Sequence, residues 1–214
     1  MATIDSGDRS TLAGVRVTGQ TLLMVGFTLV ETLALGFWLT LVGGAPVISG
    51  ASAVGLAVLV VGLVLEHVLT DATVNGISVS VLPDRQILAV SVSEALLWVL
   101  WLGVAERLGG VDGVLAAGGL FAVLLVPQHT VEDNVLRGVG PFNSVLDLGT
   151  AGFSLVEAVG ATVWLLLAFE GAQFSGLLAT VGLSGVDPAA VGLAALAVIL
   201  LVEHDIAVAL ARER

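Results

Sequence analysis

The sequence has no cysteine, and its seven basic residues are all arginine. Without cysteine, the chain cannot form a disulfide framework, a thiolate zinc or iron–sulfur site, or a cysteine nucleophile. Without lysine it cannot form a Schiff base, so retinal and pyridoxal chemistry of that kind is excluded. The chain also has no HExxH, P-loop, GxGxxG or GxSxG motif, so the sequence gives no support to catalysis of the kind found in soluble enzymes.

Charged residues are scarce as well. Only 12% of the 214 residues are charged, 57% are hydrophobic, and the mean hydropathy is +1.08. These values are typical of an integral membrane protein, whose first partner is the lipid bilayer. The net charge of −11 argues against nucleic acid as a partner, because nucleic acid requires clustered basic residues. The acidic, lysine-free composition resembles that of proteins from salt-loving archaea.

Six stretches are long and apolar enough to cross a membrane, which takes about 20 residues. The N-terminal residues include Asp5, Asp8 and Arg9, so we interpret the first stretch as a span rather than a signal peptide. Asp187-Pro188 has the pattern of an N-cap followed by the first helical residue. The sequence therefore predicts an all-α protein with one transmembrane domain over residues 1–214. The predicted helices cover about 18–42, 48–69, 86–105, 111–130, 149–169 and 188–210.

The arginines predict the orientation of the chain. Six of the seven lie in the termini and in the loops 70–86 and 131–148, whereas the three opposite loops contain only Arg107. Because arginine is enriched on the cytoplasmic side, we expect a multi-pass protein of the cell membrane with both termini in the cytoplasm.

An internal repeat is the clearest pattern in the sequence. Glu31, Glu94 and Glu157 are spaced 63 residues apart in the first, third and fifth helices. A hydroxyl residue precedes each glutamate by three positions and a tryptophan follows by seven, which places all three on one helical face. The hydroxyls are Thr28, Ser91 and Ser154, and the tryptophans are Trp38, Trp101 and Trp164.

The even-numbered helices repeat too, because each apolar run ends in an acidic or amide residue followed by histidine. These pairs are Glu66-His67, Gln128-His129 and Glu203-His204. The sequence therefore predicts three parallel two-helix hairpins, over about 18–76, 83–138 and 146–214, packed as a pseudo-threefold bundle. Small residues such as Ala51, Gly55, Gly113, Ala117, Ala190 and Ala194 predict that the even helices lie nearest the axis.

The repeat predicts a buried polar site. A charge near the bilayer centre costs at least about 2.5–3.5 kcal/mol, so the three glutamates should face the interior and be protonated or partnered. The histidines lie one to two turns closer to the cytoplasm, within reach of them. The candidate ion-binding residues are Glu31, Glu94, Glu157, His67, His129, His204, Glu66 and Glu203. The tryptophans, including Trp98, are expected to form an external aromatic belt or to pack between helices.

Three functions fit this pattern. The first is a transporter or channel for protons or small cations, which requires no cofactor. The second is a redox or metal-binding membrane protein, with His67, His129 and His204 as ligands of a metal or haem. The third is an accessory or structural subunit, as a homo-oligomer or part of a membrane complex, in which the polar residues only join helices.

Overall fold

A computed structural model describes residues 6–46, 49–76 and 83–213, and these contain helices and loops but no strand. Each helix includes a segment long and apolar enough to cross a membrane, which in α1 runs from Gly19 to Val42. The prediction of an all-helical chain with six such segments is confirmed. The helices are α1 (Ser6–Val42), α2 (Gly50–Asn75), α3 (Arg85–Leu108), α4 (Gly110–Leu136), α5 (Leu148–Thr180) and α6 (Pro188–Glu213).

Side-chain caps fix where several helices begin. Asp187 accepts a hydrogen bond of 3.1 Å from the backbone N–H of Ala189, and Pro188 is the first residue of α6, as the sequence predicts. Ser49, Asp84 and Asp147 cap α2, α3 and α5 in the same way. Each cap satisfies an N–H that has no partner inside its own helix.

Five of the six helices end beyond the predicted positions, α3 and α6 by three residues and the other three by more, and α1 begins at Ser6 rather than at about residue 18. The predicted ends were 69, 130 and 169, whereas α2, α4 and α5 continue to Asn75, Leu136 and Thr180. In α5 the predicted end coincides with a kink at Glu170, whose φ of −115° and ψ of 16° are not helical. Hydropathy detects where a helix becomes polar, but the backbone hydrogen bonds of a helix continue past that point.

The helices pack in sequence order around a closed ring, with α6 against α1. The even helices α2, α4 and α6 also contact one another. Among the described residues, no Cα atom of α1, α3 or α5 lies within 8 Å of a Cα atom in another of these three helices. The odd helices therefore reach the centre of the bundle with their side chains only.

Two of the small residues in the even helices lie against the odd helix of their own hairpin. A Cβ on Gly55 would lie 2.6 Å from Val42 of α1, and one on Gly113 would lie 2.8 Å from the carbonyl oxygen of Ala105 in α3. These glycines allow close contact within their own hairpins. The even helices contact one another and, within the described part of the chain, the odd helices do not, which agrees with the prediction that the even helices lie nearest the axis.

The four tryptophans lie inside the bundle, each at most 2% exposed. Trp101 stacks on Trp164 with ring centroids 6.2 Å apart and meets Trp98 edge-on at 5.2 Å. The expectation of an external aromatic belt is wrong, and the alternative of packing between helices is what the structure shows. The physical reason is the repeat itself: a tryptophan seven residues after a buried glutamate shares its inward face.

Candidate functional site

Each histidine meets a glutamate from the next helix in the ring. The contact joins the Nε2 atom of an even-helix histidine to a carboxylate oxygen of the mid-helix glutamate on the neighbouring odd helix. All three pairs are buried, so little water screens the attraction between them. The distances are 3.5 Å for His67–Glu94, 3.0 Å for His129–Glu157 and 3.3 Å for His204–Glu31.

The other ring nitrogen, Nδ1, faces the hydroxyl one turn before that glutamate. Each hydroxyl donates its own hydrogen to the carbonyl four residues earlier. In His129 and His204 its oxygen therefore accepts from Nδ1–H. In His67 the carbonyl of Leu63 and the carboxylate of Glu66, both 2.8 Å from Nδ1, are closer acceptors than the hydroxyl. In all three histidines Nε2 then faces the carboxylates. The Nδ1–hydroxyl distances are 3.3 Å for His67–Ser91, 2.8 Å for His129–Ser154 and 2.8 Å for His204–Thr28.

Two further predicted carboxylates lie beside these pairs. Glu66 lies 2.8 Å from Nδ1 of His67 and accepts a 2.6 Å hydrogen bond from Thr70. Glu203 lies 3.3 Å from Nε2 of His204. Both were predicted site residues, and the structure brings all eight of the predicted residues to one place.

Glu132 also belongs to the site, although the sequence reasoning missed it. Its Oε2 atom lies 3.4 Å from Nε2 of His67. Gln128, which occupies the position before histidine in α4, turns away and bonds to Ser93 and to the carbonyl of Val90. Glu132 is four residues after Gln128 and so lies on the same face one turn later. This spacing is the sequence signal that would have identified it.

The mid-helix glutamates also approach one another, because Glu31, Glu94 and Glu157 each offer an oxygen within 4.8 Å of the others. A cavity of about 20 Å³ lies among these carboxylates, enough for about one water molecule. We call the whole set the Glu/His cluster. Its members are Glu31, Glu66, Glu94, Glu132, Glu157, Glu203, His67, His129 and His204.

The two ends of the Glu/His cluster have different surroundings. On one side Trp98 donates a 3.2 Å hydrogen bond to Glu94 and joins the apolar core of tryptophan, phenylalanine and leucine side chains. On the other side Ala207 and Val208 line the cavity, and Glu132 is 18% exposed. That second side lies toward the arginine-rich ends of the helices.

The donors in the cluster suit a metal ion, but the space around them is too small for haem. Imidazole nitrogen and carboxylate oxygen are ordinary ligands of first-row transition metals. A porphyrin requires a pocket of several hundred Å³, as small-molecule sites generally do, whereas this cavity measures about 20 Å³. The haem form of the redox interpretation is therefore not compatible with the packing.

Comparisons of the chain with protein-family models, curated proteins and solved structures find no match. The function is accordingly inferred from the Glu/His cluster and its surroundings.

Proposed function

We propose that this chain is a membrane transporter or channel for protons or small cations, with the Glu/His cluster as its ion site. The observation that carries the proposal is a cluster of five buried carboxyl groups, a sixth that is 18% exposed, and three buried imidazoles, among helices long and apolar enough to span a membrane. Ionisable groups are costly in such surroundings and are generally found there when they bind or relay ions.

We also propose that the helices form three parallel hairpin repeats with pseudo-threefold symmetry. The hydroxyl–histidine–glutamate contact supports this, because it occurs three times with the same atoms. In each case the histidine comes from an even helix and its partners from the next odd helix. The closed ring of helices and the mutual contacts of α2, α4 and α6 agree with such an arrangement.

In this mechanism a proton or cation enters from the arginine-rich side, which we propose is cytoplasmic. It passes Glu132 and exchanges between an imidazole Nε2 and a facing carboxylate. From there it reaches Glu31, Glu94 and Glu157, whose oxygens are close enough for transfer directly or through one water. The tryptophan-rich core closes the opposite side in this conformation, so release there requires the helices to move.

Neutralising the three mid-helix glutamates tests the proposal. We expect Glu31→Gln, Glu94→Gln and Glu157→Gln together to reduce proton or cation flux in liposomes to background, because glutamine is similar in size but takes no transferable proton and balances no cation charge. The matched control is Glu106→Gln, an exposed glutamate at the end of α3, which should leave flux unchanged. Unchanged flux in a folded triple variant would disprove the proposal.

A further inference from the structure

Nε2 of His67 has no hydrogen-bond partner, although the residue is only 1% exposed. It faces two carboxylate oxygens, at 3.5 Å from Glu94 and 3.4 Å from Glu132. His129 differs, because its Nε2 lies 3.0 Å from Glu157, close enough for a hydrogen bond between the two groups. The two histidines therefore have distinct surroundings despite their equivalent positions in the repeat.

The hydrogen bonds of His67 show which nitrogen is free. Its Nδ1 lies 2.8 Å from the carbonyl oxygen of Leu63 and 2.8 Å from Glu66, and both of these groups are acceptors. Nδ1 must therefore carry the hydrogen, and in the neutral ring the lone pair is on Nε2. A lone pair pointing at two carboxylates is repulsive unless a proton or a metal cation lies between them, and the 3.4–3.5 Å separations are longer than the usual distance for an N–H···O bond.

We infer that this position binds a divalent first-row transition-metal ion, through Nε2 of His67 and the carboxylates of Glu94 and Glu132. Two donors bound to such an ion at about 2.0–2.2 Å with a tetrahedral angle are about 3.3–3.6 Å apart. The distances from Nε2 to both carboxylates fall in that range. One imidazole with carboxylates favours Mn²⁺, Fe²⁺, Co²⁺ or Zn²⁺ over Mg²⁺ and Ca²⁺, which bind oxygen ligands.

Glu66 orients the imidazole ring of His67 in this site. A metal-binding histidine generally donates its other N–H to a carboxylate or a backbone carbonyl, and His67 does both. Thr70 in turn holds the Glu66 carboxylate with a 2.6 Å hydrogen bond. The ring is thus fixed before any ion binds.

Glu94 connects the metal site to the centre of the cluster. One of its oxygens lies within 4.8 Å of oxygens of Glu31 and Glu157, so an ion bound at His67 is one step from the three central carboxylates. The inference therefore rests on the proposed function and specifies its substrate class as a divalent transition-metal ion, with the His67 site as the point of capture.

Equilibrium dialysis of the full-length protein in detergent with Co²⁺ tests the inference. We expect about one Co²⁺ per chain, displaced by Zn²⁺ but not by the same concentration of Mg²⁺. His67→Gln should weaken binding by about tenfold or more, Glu66→Gln by about tenfold to a hundredfold, and exposed Glu106→Gln not at all. Absence of stoichiometric binding, equal competition by Mg²⁺, or unchanged affinity in His67→Gln would overturn the inference.

A second measurement uses the unaltered protein and so does not depend on the folding of a variant. Electron paramagnetic resonance of bound Cu²⁺ should show coupling to an imidazole nitrogen, whereas ligation by oxygen alone would overturn the inference. The proposed function fails separately. Co²⁺ binding without ion flux in liposomes would support the metal site and refute the proposed transporter. Proton flux without Co²⁺ binding would support the transporter and refute the metal site.

Discussion

At the scale of single residues, the hydroxyls next to the histidines determine the chemistry of the Glu/His cluster. Ser154, for example, donates to the carbonyl of Thr150 at 2.7 Å and accepts from Nδ1 of His129 at 2.8 Å. With its hydrogen already used, the hydroxyl can only accept, so Nδ1 of the ring carries a hydrogen. A side chain that cannot itself titrate thus decides which nitrogen of the histidine faces the carboxylates.

Replacing Ser154 should therefore destabilise the protein. We expect Ser154→Ala to lower the free energy of unfolding by about 1–3 kcal/mol, because Nδ1 of buried His129 loses its acceptor. Unfolding in mixed detergent micelles measures the effect. The control is Thr40→Ala: Thr40 makes the same bond to a carbonyl four residues earlier but is exposed, so its loss should change stability by less than about 0.5 kcal/mol. Equal losses in the two variants would refute this role.

Most of the cluster could be predicted from the sequence because three histidines and three glutamates recur at matched spacing. Glu132 and Trp98 could not be found in this way, because neither has an equivalent in the other two repeats. Glu132 takes part because Gln128 turns toward Ser93, and Trp98 because it lies one turn after Glu94. A repeat identifies what is common to its copies, so it does not detect contacts made by one copy alone.

At the scale of helices, close packing within hairpins depends on a few glycines. Gly62 of α2 lies against Ala34 of α1, and a Cβ on Gly62 would overlap the Cβ of Ala34. Neither side chain has a rotamer that would relieve the overlap, so the two backbones would have to separate.

We expect Gly62→Ala to lower the free energy of unfolding by about 1–3 kcal/mol through overpacking. Gly103→Ala provides the comparison, because a Cβ on Gly103 meets nothing within 4 Å. Alanine favours helix over glycine, so this control should keep or slightly raise stability. The same unfolding measurement compares the two, and a neutral Gly62→Ala would show that the hairpin tolerates a wider separation.

Hydropathy predicted the six helices but not their inward faces. An apolar residue facing lipid and one facing the bundle look alike in composition, because both surroundings are apolar. The expectation of an external aromatic belt was wrong for this reason, because all four tryptophans face the bundle. The end of α5 was misplaced for a different reason, because the chain continues as helix after the kink at Glu170.

At the scale of the whole molecule, the proposed orientation follows from the distribution of arginine. The absence of cysteine makes it testable, because any introduced cysteine is the only thiol in the chain. Asn143 lies in the arginine-bearing loop before α5, and Ser184 lies in the opposite loop before α6, where both are exposed.

We expect a membrane-impermeant thiol reagent to label Ser184→Cys in intact cells. Asn143→Cys should react only after the membrane is permeabilised, because its loop is on the cytoplasmic side under the positive-inside rule. Mass spectrometry of the labelled protein reads out both variants. The reverse pattern would invert the proposed orientation.

In α4 the residue before histidine is Gln128, and the carboxylate of the cluster comes from Glu132 instead. This difference affects the energy of an ion in the ring of three histidine–glutamate pairs. Three identical units would offer a mobile charge three positions of equal energy, and it would distribute among them without preference. In α4 the carboxylate belongs to Glu132, one turn after the position that glutamate occupies in α2 and α6, and it lies next to His67. The position at His67 therefore has an additional oxygen, and the three positions no longer have equal energy. If the chain transports ions as proposed, a charge that enters the ring then has a preferred first binding position, so its path through the proposed pseudo-threefold arrangement has a defined beginning.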